Sequence, residues 1–102
     1  MEKIKTTLIG AGYRGKQLLQ FLQNFPFFEV MAVADPYIEE TDIPEIVCYN
    51  NGEEDYLNML DRHKPELVFI TSPWQCHVNH AIQCVERQCH IALEIKGGLY
   101  LD

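Results

Sequence analysis

With 102 residues, 47 % of them apolar and 23 % charged, the chain is expected to form one ordinary globular domain with a modest core. A formal charge of −7 excludes the basic stripe by which a nucleic-acid surface displaces counterions, and no apolar run approaches the length of a membrane span. Met1 leads almost directly into an apolar run and Cys48, Cys76, Cys84 and Cys89 lack C-x-x-C spacing, so the expected protein is cytoplasmic, without a leader and with reduced thiols.

Ile4 to Ile9 reads as a first strand, apolar enough to be covered on both faces as in a parallel sheet. It enters Gly10-Ala11-Gly12-Tyr13-Arg14-Gly15, three glycines in G-x-G-x-x-G spacing, and Lys16 to Phe25 then has helical periodicity. The apolar stripe of that helix is Leu18, Leu22 and Phe25, with Leu19 and Phe21 at its margins, and Pro26 stops it. Each glycine has a physical reading. Gly10 permits a tight turn, Gly12 lets backbone approach a pyrophosphate, and Gly15 lets helix and strand pack closely. Amide N–H groups at the positive end of the helix then face the phosphates. Tyr13 and Arg14 lie in this turn, Arg14 pairing either with phosphate or with an acidic loop residue.

Phe28 to Ala34 is the second strand. It ends at Asp35-Pro36, about twenty residues beyond Gly15, where an acidic side chain meets the adenosine ribose of a dinucleotide. A plain turn aspartate before proline is the alternative. Tyr37 to Gly52 is irregular; Glu39, Glu40, Asp42 and Glu45 make it acidic and solvent-facing, with a brief extended piece at Ile46 to Tyr49. A helix resumes near Glu53, turns Tyr56, Leu57 and Leu60 inward, and closes on Arg62, His63 and Lys64 before Pro65.

Leu67 to Thr71 is the third main strand, and Trp74 to Gln88 a helix with the core stripe Trp74, Val78, Ala81, Ile82 and Val85. His90 to Ile95 is the fourth. Cys76, His80 and Cys84 share a helix face, but the two cysteines are two turns apart, about 12 Å along the axis, which argues against a metal site.

Alternation of strand and helix predicts an α/β fold: a parallel sheet of four main strands in the order 3-2-1-4, with Leu67 to Thr71 as the third, and helices on both faces. It is part of a doubly wound domain with the glycine turn at the switch point. Ligand then crosses the carboxyl ends of the strands, where Ser72, Pro73 and His77 stand. Ser72 either caps the next helix or lies on the ligand rim; His77 is either structural or close to ligand. The outer edge of the fourth strand is expected to be open and to invite a second copy, giving a homo-oligomer.

These markers resemble the amino-terminal half of the Gfo/Idh/MocA oxidoreductase family: the glycine turn, Ala34-Asp35-Pro36, the run Pro65 to Pro73 with His77 four residues on, and Glu94. The resemblance implies a Rossmann domain over residues 1–102 that holds NAD or NADP, and it adds Glu94 to the cofactor rim. It also implies a parent protein that transfers hydride on a sugar- or polyol-like substrate. The family's α/β substrate domain does not follow here, so the chain resembles a fragment. Where the family commonly has Glu-Lys-Pro, this chain reads Glu94-Ile95-Lys96-Gly97-Gly98, similar to the Glu-Val-Pro-Gly-Gly variant; Lys96 then inherits no role and no catalytic residue is assigned. Asp35 would repel a 2′-phosphate and no lysine or arginine follows within the next several residues to receive one, which favours NAD over NADP. A stand-alone nucleotide-binding or sensing module without catalysis is the alternative function.

Overall fold

Each central strand alternates between two apolar layers, as a sheet covered on both faces requires. The computed structural model describes residues 3–10, 12–39, 46–95 and 98–101. In chain order these form β1 (Ile4–Ile9), α1 (Tyr13–Gln23), β2 (Phe28–Ala34), β3 (Val47–Tyr49), α2 (Asp55–His63) and β4 (Leu67–Ile70), then a 3-10 turn (Trp74–Cys76), α3 (His77–Glu86), β5 (His90–Ile95) and β6 (Gly98–Leu101). The sheet order is β3-β2-β1-β4-β5-β6. All pairings are parallel except the last, in which β6 returns antiparallel along β5.

Leu8, Val33, Phe69 and Ala92 point into one layer, where Leu19 and Leu22 of α1 meet them. Their neighbours Ile9, Ala32, Val68, Ile70 and Ile91 point into the other, against Met59 and Leu60 of α2 and Cys84 of α3. Leu8, Met59, Val68 and Ile70 are fully buried, each such side chain contributing about 1.5–3 kcal/mol of transfer free energy. Among the described residues no helix is long and apolar enough to cross a membrane.

The expected parallel sheet with helices on both faces and the order 3-2-1-4 is present, with one reassignment. The third strand is the brief piece Val47–Tyr49, paired with Ala32 to Ala34 of β2. Leu67–Ile70, expected in that place, lies on the other side of β1 and carries β5. Burial explains the exchange. Val68, Phe69 and Ile70 are covered on both faces and need a strand on each side, whereas half-exposed Val47 suits an edge.

Three further expectations are corrected. The outer edge of His90–Ile95 is not open, because Gly98–Leu101 pairs with it. In α1 the deeply buried residues are Leu19 and Leu22, while Leu18 and Phe25 are only half-buried. In α3 the stripe was assigned to the wrong side: Val78, Ile82 and Val85 are exposed, and the helix turns His77, Cys84 and in part His80 and Ala81 inward. An apolar count that leaves out histidine and cysteine selects the outward face of this helix, whereas His77 and Cys84 are the residues that pack.

Candidate functional site

The glycine turn is shaped by the strands around it. Gly10 has φ +96°, its amide donates to the Ala34 carbonyl at 2.7 Å, and its own carbonyl accepts from the Thr71 hydroxyl at 2.8 Å. A Cβ on Gly15 would lie 2.5 Å from the Gly10 oxygen, so the first turn of α1 sits directly on the turn that precedes it. Gly12 is different. A Cβ there would meet nothing within 4 Å, although the residue is the N-cap of α1 and no side chain caps that helix. Amide groups in the first helical turn have no carbonyl partner within the helix. Gly12 therefore leaves both room and hydrogen-bond donors on the same side.

That side is a cavity of about 680 Å³ at the carboxyl ends of β1, β2 and β4, within the usual range for small-molecule sites. Of the residues singled out from the sequence, Gly10, Gly12, Asp35, Ser72 and Pro73 line it. Gly15 lies behind it, buried against Gly10. His77 does not line it; its ring is buried and its Nε2 donates to the Ser72 carbonyl at 2.6 Å. The side chains of Tyr13, Arg14, Trp74 and Glu94 lie outside the described ones, as do residues Glu40, Asp42, Glu45 and Lys96.

Asp35 combines two roles that its sequence position left open. Its Oδ1 accepts the Tyr37 amide at 2.8 Å, a local turn bond, and the carboxylate also lines the cavity. An ionised carboxylate offers about four acceptor positions, so the turn bond is compatible with acceptance from a diol. Ser72 is not the cap of α3, whose N-cap is Cys76. Its hydroxyl instead meets His80 Nδ1 at 2.7 Å.

The sequence reading missed several lining residues, chiefly His80, Asn79, Tyr56, Glu53 and Glu54. Helical spacing could have found the first two, since they lie one turn beyond Cys76 on the end of α3 nearest the strand termini. Glu53 and Glu54 follow the turn after β3, a stretch that the sequence marks only as a brief extended piece. His80 lies edge-on to Tyr56, with ring centroids 4.4 Å apart. Burial first, and His77 second, hold the His80 ring below its ordinary pKa, so it is neutral at pH 7. Burial, then Cys84 and Glu54, raise the Tyr56 hydroxyl. Cys84 is pushed up to about 12, mainly by burial, and so stays a protonated core thiol. Among the described residues no three His, Cys, Asp or Glu side chains gather to hold a metal ion.

The family model for "Oxidoreductase family, NAD-binding Rossmann fold" matches residues 4–95. The chain belongs to the Gfo/Idh/MocA oxidoreductase family. This Gfo/Idh/MocA domain is 23 % identical to glycosyl hydrolase family 109 protein 1 of Bacteroides fragilis and 25 % identical to a family 109 protein of Saccharopolyspora erythraea, over 100 % and 99 % of its length. It spans about a quarter of those curated relatives, 24 % of each. Among solved structures, myo-inositol 2-dehydrogenase from Lactobacillus plantarum superposes with a TM-score of 0.80 at 18 % identity, over 95 % of this chain and 29 % of that one. At that identity the likeness is one of fold. The family match makes the chain an NAD(P)-binding Rossmann domain.

Proposed function

We propose that the chain is the dinucleotide-binding part of a longer oxidoreductase, that it prefers NAD to NADP, and that the whole protein acts on a sugar- or polyol-like substrate. One observation carries this reading. Gly12, with open space where any other residue would place a side chain, and Asp35, at the end of the neighbouring strand, line one cavity. In this arrangement the first-turn amides of α1 bind the diphosphate, and Asp35 accepts hydrogen bonds from the adenosine ribose. Gly10 and Gly15 keep the turn tight against Thr71 and Ser72. Tyr13, Arg14, Pro73, His77 and Glu94 complete the proposed binding set, His77 from behind by holding the Ser72 carbonyl. When bound, the nicotinamide supplies hydride-transfer chemistry. The chain itself binds and orients it.

The names of the glycosyl hydrolase family 109 relatives support the proposed substrate class. The test is calorimetric titration of the chain with NAD, NADH, NADP and NADPH, repeated on Asp35→Ala. Binding of the NAD forms that is lost in the variant supports the proposal; no binding of any dinucleotide at millimolar concentration refutes it. The chain alone is expected to show no steady-state dehydrogenase turnover.

A further inference from the structure

Ser72 is held at three points. Its backbone lies against Gly10, where an added Cβ would come within 2.5 Å of the Ser72 nitrogen and 2.7 Å of its Cα. Its carbonyl accepts from His77 Nε2 at 2.6 Å, and its hydroxyl meets His80 Nδ1 at 2.7 Å. Two histidines on α3 thus grip one serine. With the backbone fixed from both sides, the remaining freedom at Ser72 is the rotation of its side chain and of its hydroxyl proton, and His80 is the group that removes it.

His80 is itself well placed for that task. Tyr56 of α2 packs edge-on against its ring, at 4.4 Å and 65°. Ser72 and His80 both line the cavity, next to Gly10 and Gly12. We propose that His80 is a positioning residue for the dinucleotide, acting through Ser72: with the proton of its neutral ring on Nδ1 it donates to the Ser72 oxygen, which leaves the hydroxyl hydrogen to donate to an oxygen of the bound diphosphate or of the ribose beside it. A hydroxyl fixed before binding loses less rotational freedom when the ligand arrives, and it keeps its donor direction without competition from water. This inference rests on the dinucleotide reading of the cavity.

The test separates hydrogen bonding from packing. NADH fluorescence titrations are run on the wild-type chain, Ser72→Ala, His80→Phe, His80→Asn and the double variant Ser72→Ala with His80→Phe. Phenylalanine keeps a ring against Tyr56 but has no polar atom; asparagine gives up the ring and retains a polar atom near the position of Nδ1. Ser72→Ala and His80→Phe are expected to weaken binding about tenfold each, with the double variant no weaker than either. His80→Asn is expected to remain within about threefold of wild type. Binding of wild-type strength in His80→Phe, or effects that multiply in the double variant, would overturn the inference while leaving the cavity reading intact. Failure of the wild-type chain to bind NADH would overturn that reading itself. Should His80→Phe not fold, the wild type answers alone: the ¹⁵N resonance of His80 Nδ1 shifts on addition of NADH if the proposal holds, and an unmoved resonance in the saturated complex refutes it.

Discussion

A methyl group on Gly10 would stand 2.5 Å from the amide nitrogen of Ser72, so the turn after β1 and the turn after β4 touch through their backbones. Neither can give way, because Thr71 bonds across the same junction to the Gly10 carbonyl. Gly10→Ala adds this clash to the strain of φ +96° and is expected to cost about 2–4 kcal/mol, enough to lower the melting temperature by at least 10 °C or abolish folding. Gly12→Ala is the contrasting case. Its backbone is ordinary and its Cβ meets no protein atom, so stability should fall by about 1 kcal/mol or less while dinucleotide binding is lost. Thermal melts and NADH titrations of the two variants measure both effects. A Gly12→Ala protein that binds as tightly as wild type would remove the cradle from the argument.

The outward stripe of α3 gives a second prediction. Val78, Ile82 and Val85 are 69 %, 47 % and 57 % exposed, so replacing any of them with glutamine should change stability by no more than about 0.5 kcal/mol. Met59 is fully buried on α2, and Met59→Ala should cost about 2–5 kcal/mol. Urea unfolding of the four variants checks the ranking.

This contrast also separates what the sequence makes legible from what it hides. β1, β2 and β5 occupy the spans expected of them, because long apolar runs between strong turn residues leave little choice of boundary. The glycine turn and Asp35 were legible because their spacing reflects a local backbone need. α3 was not, since an inward face made of His77, His80, Ala81 and Cys84 carries less apolar character than the outward one. Likewise β3 has only three residues, too few for a pattern, and it took the edge position assigned to Leu67–Ile70. The pairing of Ser72 with His80 depends on which way α3 is turned, so it was hidden by the same error.

Acid should loosen the fold before the carboxylates titrate. Burial first, with His77 second for His80 and Arg62 second for His63, holds both rings below their ordinary value of 6.5. Unfolding releases them to that value, so in the interval below pH 6.5 the unfolded chain binds more protons than the folded one, and stability rises with pH there. The full contribution is present above pH 6.5 and is lost as pH falls through the lowered folded-state values. Melting temperatures measured from pH 7.5 to 5.5 should therefore decline, and the decline should be shallower in His80→Phe. An equal slope in both proteins would mean that His80 takes up its proton in the folded state as readily as in the unfolded chain.

Cofactor preference should follow the charge of Asp35. A 2′-phosphate brought to about 4 Å from this carboxylate would meet a repulsion of ~4 kcal/mol per charge pair at an effective dielectric constant near 20, before salt screening reduces it. Glu53 and Glu54 line the same cavity and add charge of the same sign, and no arginine or lysine lines it among the described residues. NADH is thus expected to bind at least about tenfold more tightly than NADPH at low salt. Asp35→Asn keeps an oxygen able to accept the Tyr37 amide, so the local turn survives, but it removes the charge. Its expected effect is a weaker grip on NADH together with a narrower ratio between the two cofactors, and the ratio should shrink further as salt is raised in the wild type. Competitive titration of NADH against NADPH at two ionic strengths reads all three quantities. A ratio unmoved by Asp35→Asn would place the discriminating charge elsewhere, with Glu53 and Glu54 the next residues to replace.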